Sequence, residues 1–148
     1  MADSESSGPV KVGIGLIRRD GQFLVRQRPP GSIMAGVWEF PGGKCERGED
    51  PREATLRECL EETGLVIRVE RLRRRFDHHY PHAWVELSYF DCSTLEPSAH
   101  PKPETGFRWV DTSALARLTF PGANESILEE LVREAQGRSP GRPTPPSY

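Results

Sequence analysis

Residues 40–65 read FPGGKCERGEDPREATLRECLEETGL, a glycine turn followed by a short segment rich in acid. Asp50 is a good N-cap, Pro51 suits the first helical position, Glu53 sits three residues past the cap and Gly64 is a natural stop. The sequence therefore predicts a helix from about Pro51 to Thr63. At about 100° per residue, Leu56, Cys59, Leu60 and Thr63 fall on one side and form its predicted core face, while Glu58, Glu61 and Glu62 gather opposite. Like charges one turn apart repel by roughly a few tenths of a kcal/mol when solvated and by more when half-buried, so the cluster asks for a positive partner. A hard divalent cation, Mg²⁺ or Mn²⁺, suits an all-oxygen donor set. A solvated surface helix is the competing reading of the same residues.

The rest of the chain bounds the answer. Its 148 residues suit one domain that folds without staples. Three cysteines, Cys45, Cys59 and Cys92, are odd in number and fit no metal or redox spacing, which predicts a reducing, cytoplasmic setting. No apolar run approaches the ~18 residues of a membrane span, and the start, MADSESSG, is polar and acidic, unlike a signal peptide. A net charge of −2 lacks the basic excess of a stable nucleic-acid binder. A polyphosphate ligand would need cations held locally.

Residues 1–9 lack periodicity and are expected to be disordered; residues 137–148 are proline-rich and read as a flexible tail, leaving 10–136 as the folded domain. KVGIGLIR and QFLVRQR flank Arg19-Asp20-Gly21, a hairpin signal. Period two puts Arg26 and Arg28 on one face, able to meet a phosphate or simply solvated. Pro29 to Gly36 reads as a loop, and Trp38 to Phe40 as a brief strand entering Pro41-Gly42-Gly43. A strand is predicted from about Val66 to Phe76, with Arg71, Arg73, Arg74 and Arg75 as a solvated charged face, and then a turn at Pro81. The histidines of Asp77 to His82 lack metal-site spacing and suit the mouth of a substrate site better. Trp84–Cys92 and Phe107–Val110 read as strands, with a polar loop between them. A short helix follows from Asp111-Thr112 to near Leu118, and a last amphipathic helix from about Ala123 to Gln136. Strands around two well-separated helices imply an α/β fold, a mixed sheet between helices.

The spacing Gly43, Glu49, Arg57-Glu58, Glu61-Glu62, Gly64-Leu65 resembles the Nudix box, the signature of the Nudix hydrolases. Cys59 departs from the aliphatic residue usual there. The resemblance implies the α/β/α Nudix fold and metal-dependent hydrolysis of a nucleoside diphosphate linked to another moiety. By it, Glu58, Glu61 and Glu62 bind the cation, with Glu62 or Glu58 nearest the attacking water. The Gly42 carbonyl is a further ligand, Glu49 joins the metal shell directly or through water, and Arg57 orients a carboxylate.

WEFPGGK (38–44) and TFPGANESI (119–127) are similar to the MutT-type branch, which converts nucleoside triphosphates, including 8-oxo-dGTP, to monophosphate and pyrophosphate. This likeness makes Asn124 the base-reading residue and Glu104 a further catalytic acid. Arg26, Arg28 and Phe40 join Asn124 as candidate substrate contacts. A helix cap is the competing role for Asn124. Gly122 replaces a proline of that pattern, and Tyr80-Pro81-His82 stands where an arginine is expected. Alternatives are a Nudix pyrophosphatase for CTP or dCTP, a dinucleoside polyphosphate or a nucleotide sugar, and a non-catalytic Nudix-like binding module. The expected assembly is a monomer or homodimer.

Overall fold

Asp20 and Gly21 turn the chain at positive φ, 51° and 78°. β1 (Val10–Arg19) thereby folds back on β2 (Gln22–Gln27) across the two-residue loop that Asp-Gly favours. The computed structural model describes residues 8–137; residues 1–7 and 138–148, which hold most of the predicted disordered N-terminus and proline-rich tail, lie outside the described residues.

β1 is the axis of a seven-stranded mixed sheet. One edge runs parallel to β6 (Ala83–Thr94), from Val10 beside Val85 to Ile17 beside Cys92. Two antiparallel neighbours share the other edge. β4 (Gly42–Lys44) takes the first part, with Ile14 opposite Gly42, and β2 takes the end, with Arg18 opposite Phe23. The gap between these partners admits the glycine turn, which Gly15 N–H fastens to Pro41 O at 2.9 Å. β2 also pairs with β3 (Trp38–Glu39) and β7 (Arg108–Asp111), while β5 (Ile67–Tyr80) completes the far side against β6.

Helices cover both faces, as an α/β/α arrangement requires. α1 (Pro51–Thr63) encloses a core around Ile17, Leu24, Phe90 and Cys92. On the other face, α2 (Thr112–Leu115) and α3 (Glu125–Gly137) enclose a core around Leu16, Val25, Tyr89 and Ile127. α2 stops short of Leu118. α3 starts at Glu125, because Gly122–Asn124 form a 3-10 turn.

α1 has the predicted capping box: Asp50 accepts from Glu53 N–H at 2.8 Å, and Glu53 accepts from Asp50 N–H at 3.0 Å. Gly64 ends it at φ 81°. The core face differs from the prediction. Leu60 is 49% exposed, and the buried residues are Ala54, Thr55, Cys59 and Thr63. The cause lies on β1. A Cβ on Gly13 would fall 2.3 Å from Pro51 O and Thr55 Oγ1, and one on Gly15 would fall 2.8 Å from Cys59 Sγ. The helix lies so close to the strand that only small side chains fit the seam, and Leu60 turns to solvent.

β5 continues past Phe76 to Tyr80, so Asp77–Tyr80 are strand and only Pro81-His82 turn. Cross-strand pairing holds this extension, with His79 stacked on Trp84 at 5.3 Å. The arginine run also differs from expectation. Arg71, Arg74 and Arg75 are more than half exposed, but the Arg73 side chain is 7% exposed, paired with Asp91 at 2.8 Å, Glu130 at 3.1 Å and Glu134 at 2.7 Å. Register shifts fall between Val69 and Arg71 and between Leu72 and Arg74, the second at Arg73 itself. Such bulges re-aim a side chain, here toward α3. Among the described residues, no helix is long and apolar enough to cross a membrane.

Candidate active site

The burial of Thr55 and Cys59 fixes the rotation of α1, and with it the acids. Glu58 and Glu62 flank Cys59, so they stand at the edge of the buried face rather than opposite it, against the turn of Pro41–Gly43. Glu62 accepts a hydrogen bond from Gly42 N–H at 3.1 Å. Glu58 packs on Gly43, its Cδ only 2.5 Å from where a Cβ there would sit. Glu61 projects outward, its side chain 59% exposed. Burial pushes the Glu62 carboxyl up to about 7; Gly42 N–H opposes this, and Glu58 reinforces it. A carboxyl held that high near a second acid is poised for a positive partner.

Arg57 organises the rest of the helix face. It grips Glu49 bidentately, Nε to Oε2 at 2.8 Å and Nη2 to Oε1 at 2.9 Å, and donates from Nη1 to Glu58 at 3.0 Å and Glu61 at 3.4 Å. The Glu49 carboxyl is held down at about 2, chiefly by these bonds. The guanidinium pKa is raised in turn, first by Glu49.

Arg26 and Arg28 do share a face, but neither is a bare cation. Glu39 takes both, at 2.7 Å and 2.8 Å. Arg26 also lies over the Phe107 ring at 4.8 Å and reaches Thr105 O at 3.4 Å, and Arg28 donates to Ile33 O at 2.6 Å. Register explains the pair, since β2 and β3 set Arg26 directly opposite Glu39. Arg26 and Glu39 also act electrostatically on Glu62, which places them at the same site.

A cleft of about 190 Å³ joins these parts, lined by Val12, Ile14, Glu39, Phe40, Gly42, Gly43 and Asn124. Phe40 is 7% exposed and stacks on Phe120 at 5.1 Å. Asn124 is 8% exposed, and its Oδ1 accepts from the Tyr89 hydroxyl at 2.5 Å. The glycine turn on which Glu58 and Glu62 rest thus lines one space with Asn124. Glu104 lies on the 3-10 turn Pro103–Thr105, exposed, one residue from the carbonyl that Arg26 contacts.

Carboxylate oxygens and a backbone turn match a hard divalent cation, and the space over Gly43 that a Cβ would fill belongs to a carboxylate. Among the described residues, no three acidic, imidazole or thiol groups already stand close enough to enclose an ion. Arg57 holds Glu49, Glu58 and Glu61, and Glu58 and Glu62 are the pair in contact with the turn.

The family model of the NUDIX domain matches residues 13–130. The chain belongs to the Nudix hydrolase family. This Nudix hydrolase is 36% identical to the 8-oxo-dGTP diphosphatase of Haemophilus influenzae over 128 residues, covering 84% of this chain and 93% of that protein. It is 48% identical to the CTP pyrophosphohydrolase of Escherichia coli over 60 residues, which span 40% of this chain and 44% of that one. A solved MutT structure, from work on the Aliivibrio salmonicida and Vibrio cholerae proteins, superposes with a TM-score of 0.69 at 27% identity, covering 86% of this chain and 99% of that one.

Two site residues of this Nudix hydrolase carry no signal in the linear sequence. Glu39 is one acid in WEF, and only pairing with β2 reveals its hold on both arginines. Tyr89 sits inside a strand of core residues, where nothing marks its hydroxyl for Asn124.

Proposed function

We propose that this chain hydrolyses 8-oxo-dGTP to 8-oxo-dGMP and pyrophosphate with Mg²⁺ or Mn²⁺, and so removes oxidised guanine nucleotides from the triphosphate pool. The observation that carries this reading is the cleft at the glycine turn: Gly42 and Gly43, on which Glu62 and Glu58 rest, line it together with Asn124. A triphosphate at one end and a purine edge at the other suit that layout. The 8-oxo-dGTP diphosphatase relative, alike over most of both chains, supports the same substrate.

In this mechanism Glu58, Glu62 and the Gly42 carbonyl hold the cation, with Glu61 and Glu49 as further ligands directly or through water. The bound cation would neutralise phosphate oxygens and acidify a water. Glu62 and Glu58, side by side at the glycine turn, are the carboxylates placed to take a proton from the attacking water. Arg57 keeps Glu49, Glu58 and Glu61 in place. Arg26, fixed by Glu39 and Phe107, presents its charge to the phosphate chain, and Arg28 steadies the 29–36 loop through Ile33 O. Phe40 walls the base end, Asn124 reads the base edge, and Glu104 is a further acid at the rim.

Initial rates in Mg²⁺ with 8-oxo-dGTP, dGTP, dCTP and CTP side by side test the reading, with pyrophosphate and orthophosphate measured separately. The expected result is pyrophosphate release fastest from 8-oxo-dGTP. A preference for CTP would favour the second reading, which the likeness to the CTP pyrophosphohydrolase supports over the stretch that the two share. Orthophosphate as first product would overturn both.

A further inference from the structure

Tyr89 is 1% exposed, sealed under α3, yet its hydroxyl carries a proton that must be donated somewhere. The acceptor is Asn124 Oδ1. Neither side chain makes another hydrogen bond among the described residues. A primary amide has an acceptor end and a donor end, and the two orientations differ only in which end faces inward. With oxygen inward, the phenol O–H is satisfied. With the NH₂ group inward, it would donate to the phenol oxygen and leave the O–H without an acceptor inside the core. Burial raises the pKa of Tyr89, so the phenol keeps its proton.

The other end of the amide follows. Asn124 lines the cleft beside Phe40 and Gly42, and its Nδ2 is not among the sealed polar atoms that lack a partner. We infer that Tyr89 is a positioning residue for substrate choice: its hydroxyl pins the Asn124 amide with NH₂ toward the cleft, so the bound base must offer an acceptor there. A 6-oxopurine does so, whereas a 6-aminopurine turns a donor toward a donor. Oδ1 keeps a second lone pair for a ring N–H. This rests on the reading of Asn124 as the residue that meets the base.

The matched pair 8-oxo-dGTP and 8-oxo-dATP tests it through the ratio of their kcat/KM values. Tyr89→Phe removes one oxygen and should lower the ratio about tenfold, because the amide is then free to turn over. Asn124→Ala should lower it at least as far, and Tyr89→Phe added to Asn124→Ala should change nothing more. Asn124→Asp keeps an acceptor for Tyr89 but faces the cleft with oxygen, and should invert the preference. A ratio lowered by Asn124→Ala but untouched by Tyr89→Phe would overturn the inference and leave the base reading standing. A ratio untouched by Asn124→Ala would overturn both. Equal losses on both nucleotides in Tyr89→Phe, with a lower melting temperature, would reduce Tyr89 to a packing residue.

Discussion

The carboxylate of Glu58 fills the space that a side chain on Gly43 would need: a Cβ there would lie 2.5 Å from Glu58 Cδ and 2.7 Å from Oε2. The neighbouring glycine differs in kind. A Cβ on Gly42 would meet backbone, 2.3 Å from Gly13 O and 2.8 Å from Ile14 Cα. A carboxylate can swing aside and a strand cannot. Gly43→Ala should therefore fold with little loss of melting temperature while its kcat falls at least about tenfold. Gly42→Ala should lose about 2 kcal/mol or more of stability. Thermal melts and initial rates on the two variants check this, and a fully active Gly43→Ala would show that Glu58 is not needed where it stands.

The chemistry should depend on a divalent cation throughout. Excess chelator should abolish turnover, and added Mg²⁺ should restore it. Glu62→Gln and Glu61→Gln should each slow the rate by at least about 10²-fold with the fold intact, as circular dichroism would verify. Turnover near wild type in both variants would reduce the helix face to a solvated surface.

Stability should carry the titration of Glu62. Its folded carboxyl sits at about 7 against an ordinary 4.5. The protonated form is therefore favoured by folding, and that stabilisation is full below about 4.5 and lost as pH rises through 7. Without metal, the melting temperature should fall over that window more steeply than in Glu62→Gln. Mg²⁺ favours the ionised form, so it should flatten the slope and release protons near neutral pH, which a lightly buffered titration would detect. Parallel slopes for the two proteins would contradict the assignment.

Arg73 should be the costly arginine of its run. Removing it withdraws from Asp91, Glu130 and Glu134 a cation that is only 7% exposed, although Arg71 still meets Asp91 and Arg74 still meets Glu130. Arg73→Met should cost about 1.5–3 kcal/mol, and Arg74→Ala, at a side chain 55% exposed, less than about 1 kcal/mol. Urea unfolding of the two variants separates these values.

Local sequence encodes α1 well, because its cap, first-turn proline and stop act within a few residues. The rotation of that helix is another matter. Cys59 and Leu60 are neighbours in an apolar pattern, and what separates them is a pair of glycines on β1 that reach the helix only after the sheet forms. The same holds across the site. Glu58, Glu61, Glu62, Arg57 and Glu49 lie in one contiguous stretch and can be recognised together, whereas Glu39 and Tyr89 act through the register of β2 with β3 and the docking of α3. Arg71 and Arg74 are paired with β6 whereas Arg73 falls at a register shift that no alternation in the chain announces.

The parallel pairing of β1 with β6 joins partners as distant as Val10 and Val85, with the whole acidic helix in the loop between them. Closing such a loop is entropically slow, and non-local strand pairing of this kind dominates folding times. During synthesis, α1 can meet β1 and β4 as soon as it is made, but Phe90 and Cys92 of the core it covers are missing until β6 has left the ribosome. The order of elements along this chain makes the acidic helix an early product whose core is closed late, seated on β1 and β4 before β6 completes it.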